Sequence, residues 1–351
     1  MNVNFRLGVS LFALLSIIGF ILVFFLSTET APIAAVVDRL ELPYLLLCVF
    51  AVPVADWAIA GLRMWMFTHA ACPDISYFAC VKNCAVGSFM GAATPSQTGG
   101  GIAQVYVLVK EGANAGQAVS VLFLTFLSTL VFYALACIGL WGLDASGRLP
   151  DMGGSAPFAL AALLFGGLAT GGFLVLLFPQ KVIVWLQGVV DWAQSRKRLG
   201  RLAAQLVLHL KDGSATVQLL FRKYKMRFVL SIPVTVAVFA NKYFAAYLAA
   251  RALGIETSLT QLMIIQLFLH ILLYFLPTPG GSVGAEVGTA VLMQSLIPSS
   301  LLPAYTLLWR TSIMYFSVLV GGLILIRYIR QKPRGNVPTM ETVEMMADTR
   351  N

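Results

Sequence analysis

The chain has 351 residues, of which 59% are hydrophobic and only 11% are charged, and its mean hydropathy is +0.84. Because soluble domains carry about 25% charged residues, this composition excludes a water-soluble globular protein and predicts a surface that mostly faces lipid. The net charge of +9 does not indicate nucleic acid, and we expect no such partner, because ten Lys and Arg lie in one stretch, 179–228. Basic loops of this kind lie on the cytoplasmic side of a membrane, beside anionic lipid headgroups.

Six apolar runs are long enough to cross a bilayer as helices, which takes about 20 residues. They occupy residues 7–26, 43–66, 115–141, 156–178, 228–250 and 301–327. The first run is too long for the apolar core of a signal peptide, so we predict that it is a membrane span. Within the basic loop 179–227, residues 182–210 mix apolar and basic side chains, which predicts an amphipathic helix on the inner leaflet.

Two further apolar stretches, 75–111 and 259–297, do not fit a single span, because Pro and Gly interrupt them at 94–101 and 277–282. A helix of ten residues covers about 15 Å, half of the hydrocarbon core. Irregular backbone at that depth must be surrounded by protein or by a water-filled cavity. We therefore predict two re-entrant helical hairpins with tips buried near the midplane. The competing interpretation is that Pro and Gly only kink two helices.

The distribution of charge fits this topology. With Arg6 in the cytoplasm, the basic loop and the tail fall on the cytoplasmic side, and the external loops carry net negative charge. The order span, span, hairpin, span then occurs twice with opposite orientation. This order predicts an all-α polytopic fold with cytoplasmic termini, formed by inverted repeats at 1–141 and 156–327 and a tail at 328–351. Inverted repeats with broken helices are typical of secondary transporters.

The tips of the predicted hairpins carry the residue types that bind anions. Each returning half-helix begins at a tip, where its unpaired N–H groups carry partial positive charge, and glycine lets a headgroup approach the backbone closely. The predicted substrate-binding residues here are Thr94, Pro95, Gln97, Gly99, Gly100, Gly101 and Gln104 in the first hairpin and Pro279, Gly280, Gly281, Ser282 and Glu286 in the second. The alternative is that the glycines only permit tight turns and close packing.

Ionisable side chains inside apolar segments are costly and usually functional, which singles out Asp56, Lys242, Glu286 and Arg310. We predict that Lys242 and Arg310 bind the substrate, because both cations neutralise a phosphate and the guanidinium of Arg310 can form bidentate hydrogen bonds with it. A buried ion pair between Arg310 and Glu286 is the alternative for those two residues.

Three residues are candidates for proton or ion coupling: Asp56, His270 and Glu286. For Asp56 we favour a structural pair with Arg63, seven residues further along the same helix, and for His270 a packing role. The five cysteines have no ligand spacing, and the chain has no Gly-Lys-Ser/Thr nucleotide-binding motif. The sequence therefore predicts no metal site, no cofactor, no catalytic residue and no enzymatic activity.

The two tips resemble the transmembrane region of the lysylphosphatidylglycerol synthases, a family also described as flippase-like. The resemblance lies in Thr94-Pro95, Gly99-Gly100 and Ala103-Gln104-Val105-Tyr106-Val107-Leu108, and in Pro277-Thr278-Pro279-Gly280-Gly281-Ser282 followed by Gly284-Ala285-Glu286. It covers nearly the whole chain and implies a membrane domain that moves lipids between leaflets. The full-length synthases also carry a soluble aminoacyl-transfer domain. Only 24 residues follow Arg327, so we do not expect lipid aminoacylation from this chain.

These features together predict a multi-pass lipid translocase of the bacterial inner membrane. Its expected substrate is an anionic or amphiphilic phospholipid or a polyprenyl-phosphate-type lipid, carried by alternating access through a midplane site, so membrane lipids with anionic headgroups are the expected partners. Two alternatives stay open: a secondary transporter of a small solute or ion, and a non-catalytic membrane partner of a lipid-modifying enzyme. The sequence also leaves open whether the chain forms a homo-oligomer.

Overall fold

The computed structural model describes residues 2–27, 31–145, 156–178, 180–181, 184, 217–218, 221–274 and 276–330. These residues form helices and short connections, and no strand occurs among them. The amphipathic helix predicted at 182–210 lies outside the described residues except for Val184, and so does the tail from residue 331 onward.

The described helices are numbered here in chain order. They are α1 Asn2–Leu26, α2 Ile33–Val37, α3 Leu42–Ala71, α4 Tyr77–Ala92, α5 Thr98–Lys110, α6 Ala115–Ala145, α7 Ala156–Leu177, α8 Lys225–Ala252, α9 Leu259–Tyr274, α10 Gly284–Met293 and α11 Ser299–Arg330. Two of the long helices contain a π-helical turn, at Leu47–Ala51 in α3 and at Thr311–Tyr315 in α11. Such turns often mark functional sites, because they change the direction of the side chains that follow.

Six helices are long and apolar enough to cross a membrane: α1, α3, α6, α7, α8 and α11. They coincide with the six predicted spans, which confirms a multi-pass all-helical membrane protein, although α3 continues to Ala71 rather than ending at 66. The outward faces of these helices are apolar. Phe25, for example, is 83% exposed and Leu163 is 74% exposed, as expected for side chains in contact with lipid.

The two interrupted stretches each form a pair of antiparallel helices. In the first pair, the Asn83 side-chain amide of α4 donates to the Gln104 carbonyl of α5 at 3.2 Å, and Gly87 packs against the Gln104 side chain. In the second pair, Gly288 of α10 packs against Leu269 of α9. The longest of these four helices has 16 residues and is about 24 Å long, so each is shorter than the roughly 30 Å hydrocarbon core.

Both tips reverse the chain through residues with positive φ, although the two turns differ in ψ and in the number of such residues. A non-glycine residue with positive φ precedes each returning helix: Gln97 (φ 56°) before α5 and Val283 (φ 69°) before α10. This conformation is strained for a β-branched residue such as Val283, and it persists because the packing around the tip holds it. The two tips also contact each other, since a Cβ on Gly280 would lie 3.5 Å from the Cα of Ala92, at the end of α4.

The last helix, α11, packs against the first hairpin and connects it to the remaining helices. Gly321 of α11 packs so closely on α4 that an added Cβ would collide with the carbonyl of Ala85. Nearer the end of α11, the Tyr328 hydroxyl donates to the Glu111 carboxylate at 2.6 Å. The position of the first tip therefore depends on α11, which also carries Arg310.

Gly321→Ala is expected to lower the free energy of unfolding by about 1–3 kcal/mol, because the added methyl group meets backbone that cannot move aside. The matched control is Gly139→Ala in α6, where an added Cβ meets nothing within 4 Å and alanine favours the helix. Melting temperatures of the purified variants in detergent measure both effects. Equal melting temperatures for Gly321→Ala and the wild type would contradict the close packing of Gly321 against Ala85.

Candidate functional site

A buried ion pair lies where the second tip meets the last helix. Arg310 of α11 donates from Nε to Oε1 of Glu286 in the first turn of α10 at 2.8 Å, and the two side chains are 1% and 0% exposed. Arg310 also donates to the Gly280 carbonyl and to the Ser282 hydroxyl of the tip, each at 3.4 Å. The guanidinium is thus shared between a carboxylate and the backbone of the tip, which satisfies a charge that would otherwise be costly to bury.

Helix α1 and the π-helical turn of α11 complete the surroundings of this pair. Ser16 of α1 shares a 3.0 Å hydrogen bond with Ser282, and Gly19 lies against the Glu286 carboxylate. Tyr315, the last residue of the π-helical turn, donates to Oε1 of Glu286 at 3.3 Å. The Oε2 atom of Glu286 is buried and has no hydrogen-bond partner among the described residues. These contacts explain why a glycine occupies position 19 of an otherwise bulky apolar helix.

A cavity of about 360 Å³ lies beside Arg310 and between the two tips. Its volume falls at the lower end of the range for ligand sites, about 300–1,000 Å³. The ionisable residues that line it are Asp56, Arg63, Lys242, His270 and Arg310, and the polar residues include Ser88, Gln97, Gln104, Thr125 and Thr129. The lining also contains apolar side chains, and its three cations outnumber its single carboxylate, Asp56, so the cavity is suited to an anionic group.

A second ion pair lies on the wall of this cavity. Lys242 of α8 places Nζ 3.5 Å from Oδ2 of Asp56 in α3, and the two side chains are 32% and 15% exposed. Asp56 and Arg63 were predicted to pair, but no ion pair within 4.0 Å joins them, and their charges attract each other only at longer range. A partner from the neighbouring helix α8 lies closer. The longer distance and partial exposure make this pair weaker than the pair at the tip.

Arg63 was not predicted to belong to the site, yet it lines the cavity. The predicted span 43–66 placed it one turn from a helix end, whereas α3 continues to Ala71 and places it two turns inside. Its Nη1 donates to the hydroxyls of Thr129 at 3.0 Å and Thr235 at 3.3 Å. An arginine within an extended apolar run was the sequence signal that could have identified it.

About half of the predicted binding residues line the cavity. Those that do are Gln97, Gly100, Gly101, Gln104, Lys242, Gly280 and Arg310, and those that lie outside its lining are Thr94, Pro95, Gly99, Pro279, Gly281, Ser282 and Glu286. The residues of the second group that form hydrogen bonds hold the tips in shape. Thr94, for example, accepts from the N–H of Gly99 at 2.8 Å and donates to the Met90 carbonyl at 2.8 Å, so the Gly99 N–H is already paired within the protein.

His270 also lines the cavity. Its Nδ1 lies 2.9 Å from the Gln266 carbonyl, and because a carbonyl only accepts, Nδ1 carries the proton. The ring also packs edge-on against Tyr243, with centroids 5.1 Å apart. The structure therefore gives His270 the packing contacts that the sequence favoured, at a position facing the cavity.

The comparisons with known proteins agree with the resemblance of the tips. The family model for the lysylphosphatidylglycerol synthase transmembrane region matches residues 7–321. The chain belongs to this family. The family match contains both tips and every residue that lines the cavity. Searches among curated proteins and among solved structures find no match to this chain.

Arg310→Gln is expected to destabilise the protein by about 3–5 kcal/mol, because it leaves the Glu286 carboxylate buried without its partner. The double variant Glu286→Gln with Arg310→Gln removes both charges and should recover part of that loss. Thermal unfolding of the two single variants and the double variant in detergent gives the coupling energy. Strictly additive losses would show that the two side chains are not coupled in the folded protein.

Proposed function

We propose that this protein is a lipid translocase of the bacterial inner membrane that carries a headgroup through the cavity between its two hairpin tips. The observation that carries this proposal is the cation-lined cavity of about 360 Å³ at the contact of the tips. Membership of the lysylphosphatidylglycerol synthase transmembrane-region family supports a role that involves membrane lipid. No catalytic residue is assigned.

The surface next to the cavity favours a lipid over a soluble anion. Gly101 of α5 lines the cavity and is exposed, and an added Cβ there would meet nothing within 4 Å. The adjoining residues Ile102 and Tyr106 are 73% and 37% exposed, as expected for side chains that face acyl chains. A lipid can then place its headgroup in the cavity while its chains stay in the bilayer.

In the proposed mechanism the hairpins are re-entrant and approach the midplane from opposite faces, as parts of two inverted repeats. The repeats rock against each other, so that the cavity opens to one leaflet and then to the other. The Glu286–Arg310 pair holds the second tip to α11 during this movement. The more exposed Lys242–Asp56 pair opens when a phosphate takes the place of the carboxylate beside Lys242. The energy comes from the lipid gradient or from an ion gradient, with Asp56 and His270 as the candidates for ion coupling.

Leaflet transfer of fluorescent phosphatidylglycerol in proteoliposomes tests this proposal. The wild type should transfer the lipid faster than protein-free vesicles do, and Lys242→Gln should lower the rate about tenfold or more, equivalent to about 1.4 kcal/mol of the barrier. Lys225→Gln is the matched control, because Lys225 begins the same helix and lies outside the cavity lining.

Wild-type transfer no faster than in protein-free vesicles would contradict the proposal. Uptake of soluble glycerol phosphate without lipid transfer would favour the rival function, transport of a small hydrophilic anion. Equal rates for Lys242→Gln and Lys225→Gln would remove Lys242 from the mechanism.

A further inference from the structure

The cations of the cavity differ in how far they are neutralised. Lys242 has Asp56 at 3.5 Å and Arg310 has Glu286 at 2.8 Å. Among the described residues no carboxylate lies within 4.0 Å of the third cation, Arg63. Three cations and two carboxylates leave one positive charge. Asp56 attracts both Lys242 and Arg63 but lies within ion-pair distance of Lys242 alone, so we assign the remaining charge to Arg63. A single uncompensated charge in such a site is unfavourable until an anion joins it.

The contacts of Arg63 orient its guanidinium without neutralising it. The hydroxyls of Thr129 and Thr235 already donate to backbone carbonyls, of Thr125 at 3.3 Å and of Ser231 at 2.7 Å. Their lone pairs therefore face the Nη1 group of Arg63, which donates to both. The two threonines lie on different helices, α6 and α8, so the guanidinium is fixed from two sides.

Part of the guanidinium is left without a partner. The Nε of Arg63 is buried and has no hydrogen bond to any described residue. A buried N–H donor without an acceptor is costly, and a guanidinium presents its donors as a fork that fits two oxygens of one phosphate. The same residue thus has a charge without an ion-pair partner within 4.0 Å, an unpaired buried donor and a place in the cavity lining.

We propose that Arg63 is the principal ligand for the phosphate of the transported headgroup, and that the headgroup carries one net negative charge, as in a phosphodiester lipid such as phosphatidylglycerol. This inference rests on the proposed lipid translocase function and specifies its substrate. A headgroup with a cation of its own would bring that cation into a lining with three cations and a single carboxylate, Asp56, which Lys242 already holds. The phosphate of a lipid and free phosphate share this chemistry, so the experiment includes both.

Native mass spectrometry of the purified protein measures binding of phosphatidylglycerol, phosphatidylcholine and inorganic phosphate. The wild type should prefer phosphatidylglycerol to phosphatidylcholine on the order of tenfold or more, and Arg63→Gln should weaken phosphatidylglycerol binding about 10- to 100-fold. Arg63→Lys keeps the charge but loses the forked arrangement of donors, so its affinity for phosphatidylglycerol should lie between those of the wild type and Arg63→Gln. Arg251→Gln is the control, because Arg251 pairs with exposed Glu256 away from the cavity, and it should bind like the wild type.

An unchanged preference for phosphatidylglycerol in Arg63→Gln would overturn the assignment. If that variant does not fold, Arg63→Lys decides, since wild-type affinity in it would exclude a bidentate phosphate contact. Displacement of phosphatidylglycerol by equimolar inorganic phosphate would overturn the lipid identity of the ligand.

The transfer assay separates this inference from the proposed function. Binding that depends on Arg63 in a wild type that transfers no lipid would reject the translocase and keep the anion site. Transfer that is unchanged in Arg63→Gln would reject the anion site and keep the translocase.

Discussion

The ion pair between Glu286 and Arg310 is the interaction on which the remaining structure depends. It joins the first turn of a short returning helix to the middle of a helix long enough to cross the membrane, and both partners are fully buried. Arg310 adds contacts to Gly280 and Ser282, and Ser282 binds Ser16 of the first helix. Three separate segments are thus held around one pair of charges. Because this pair lies against the cavity, the position of the second tip and the shape of the cavity have a common cause.

The three cations beside the cavity differ in how closely a carboxylate neutralises them. Arg310 has a close and buried carboxylate, and Lys242 has a more distant and partly exposed one. Arg63 donates to threonine hydroxyls, and Asp56 attracts it from beyond ion-pair distance. Close buried pairs are strongly destabilising to break, whereas exposed pairs contribute little. In the proposed mechanism the first pair is therefore structural, the second pair opens and the third cation binds the ligand. The burial and partners of each charge separate these roles, which the residue type alone does not.

The sequence was most informative where the physical constraint was local. A chain with so few charges must face lipid, and Pro and Gly in the middle of an apolar stretch must interrupt a helix. The six spans and both chain reversals therefore follow from the amino-acid sequence.

The sequence was least informative about which side chains pair with each other. Asp56 was assigned to Arg63 because both lie on one helix, yet the partner Lys242 comes from a helix nearly 190 residues away. The end of α3 was placed too early because Thr68 and His69 end the apolar run without ending the helix, and this error hid Arg63. Of the tip glycines, Gly100, Gly101 and Gly280 line the cavity, but no sequence pattern showed that Thr94 already accepts from the N–H of Gly99.

Thiol labelling at Gly101 tests most directly whether the cavity between the tips opens to both faces of the membrane. Gly101→Cys, in a background without the five native cysteines, places a thiol where nothing lies within 4 Å of the new Cβ. Membrane-impermeant reagents are applied to each face of oriented vesicles, and Glu256→Cys, which is exposed beside a helix end, serves as a position open to one face only. Alternating access predicts that the Gly101 thiol reacts from either face and that phosphatidylglycerol slows the reaction. Labelling from a single face under every lipid condition would contradict it.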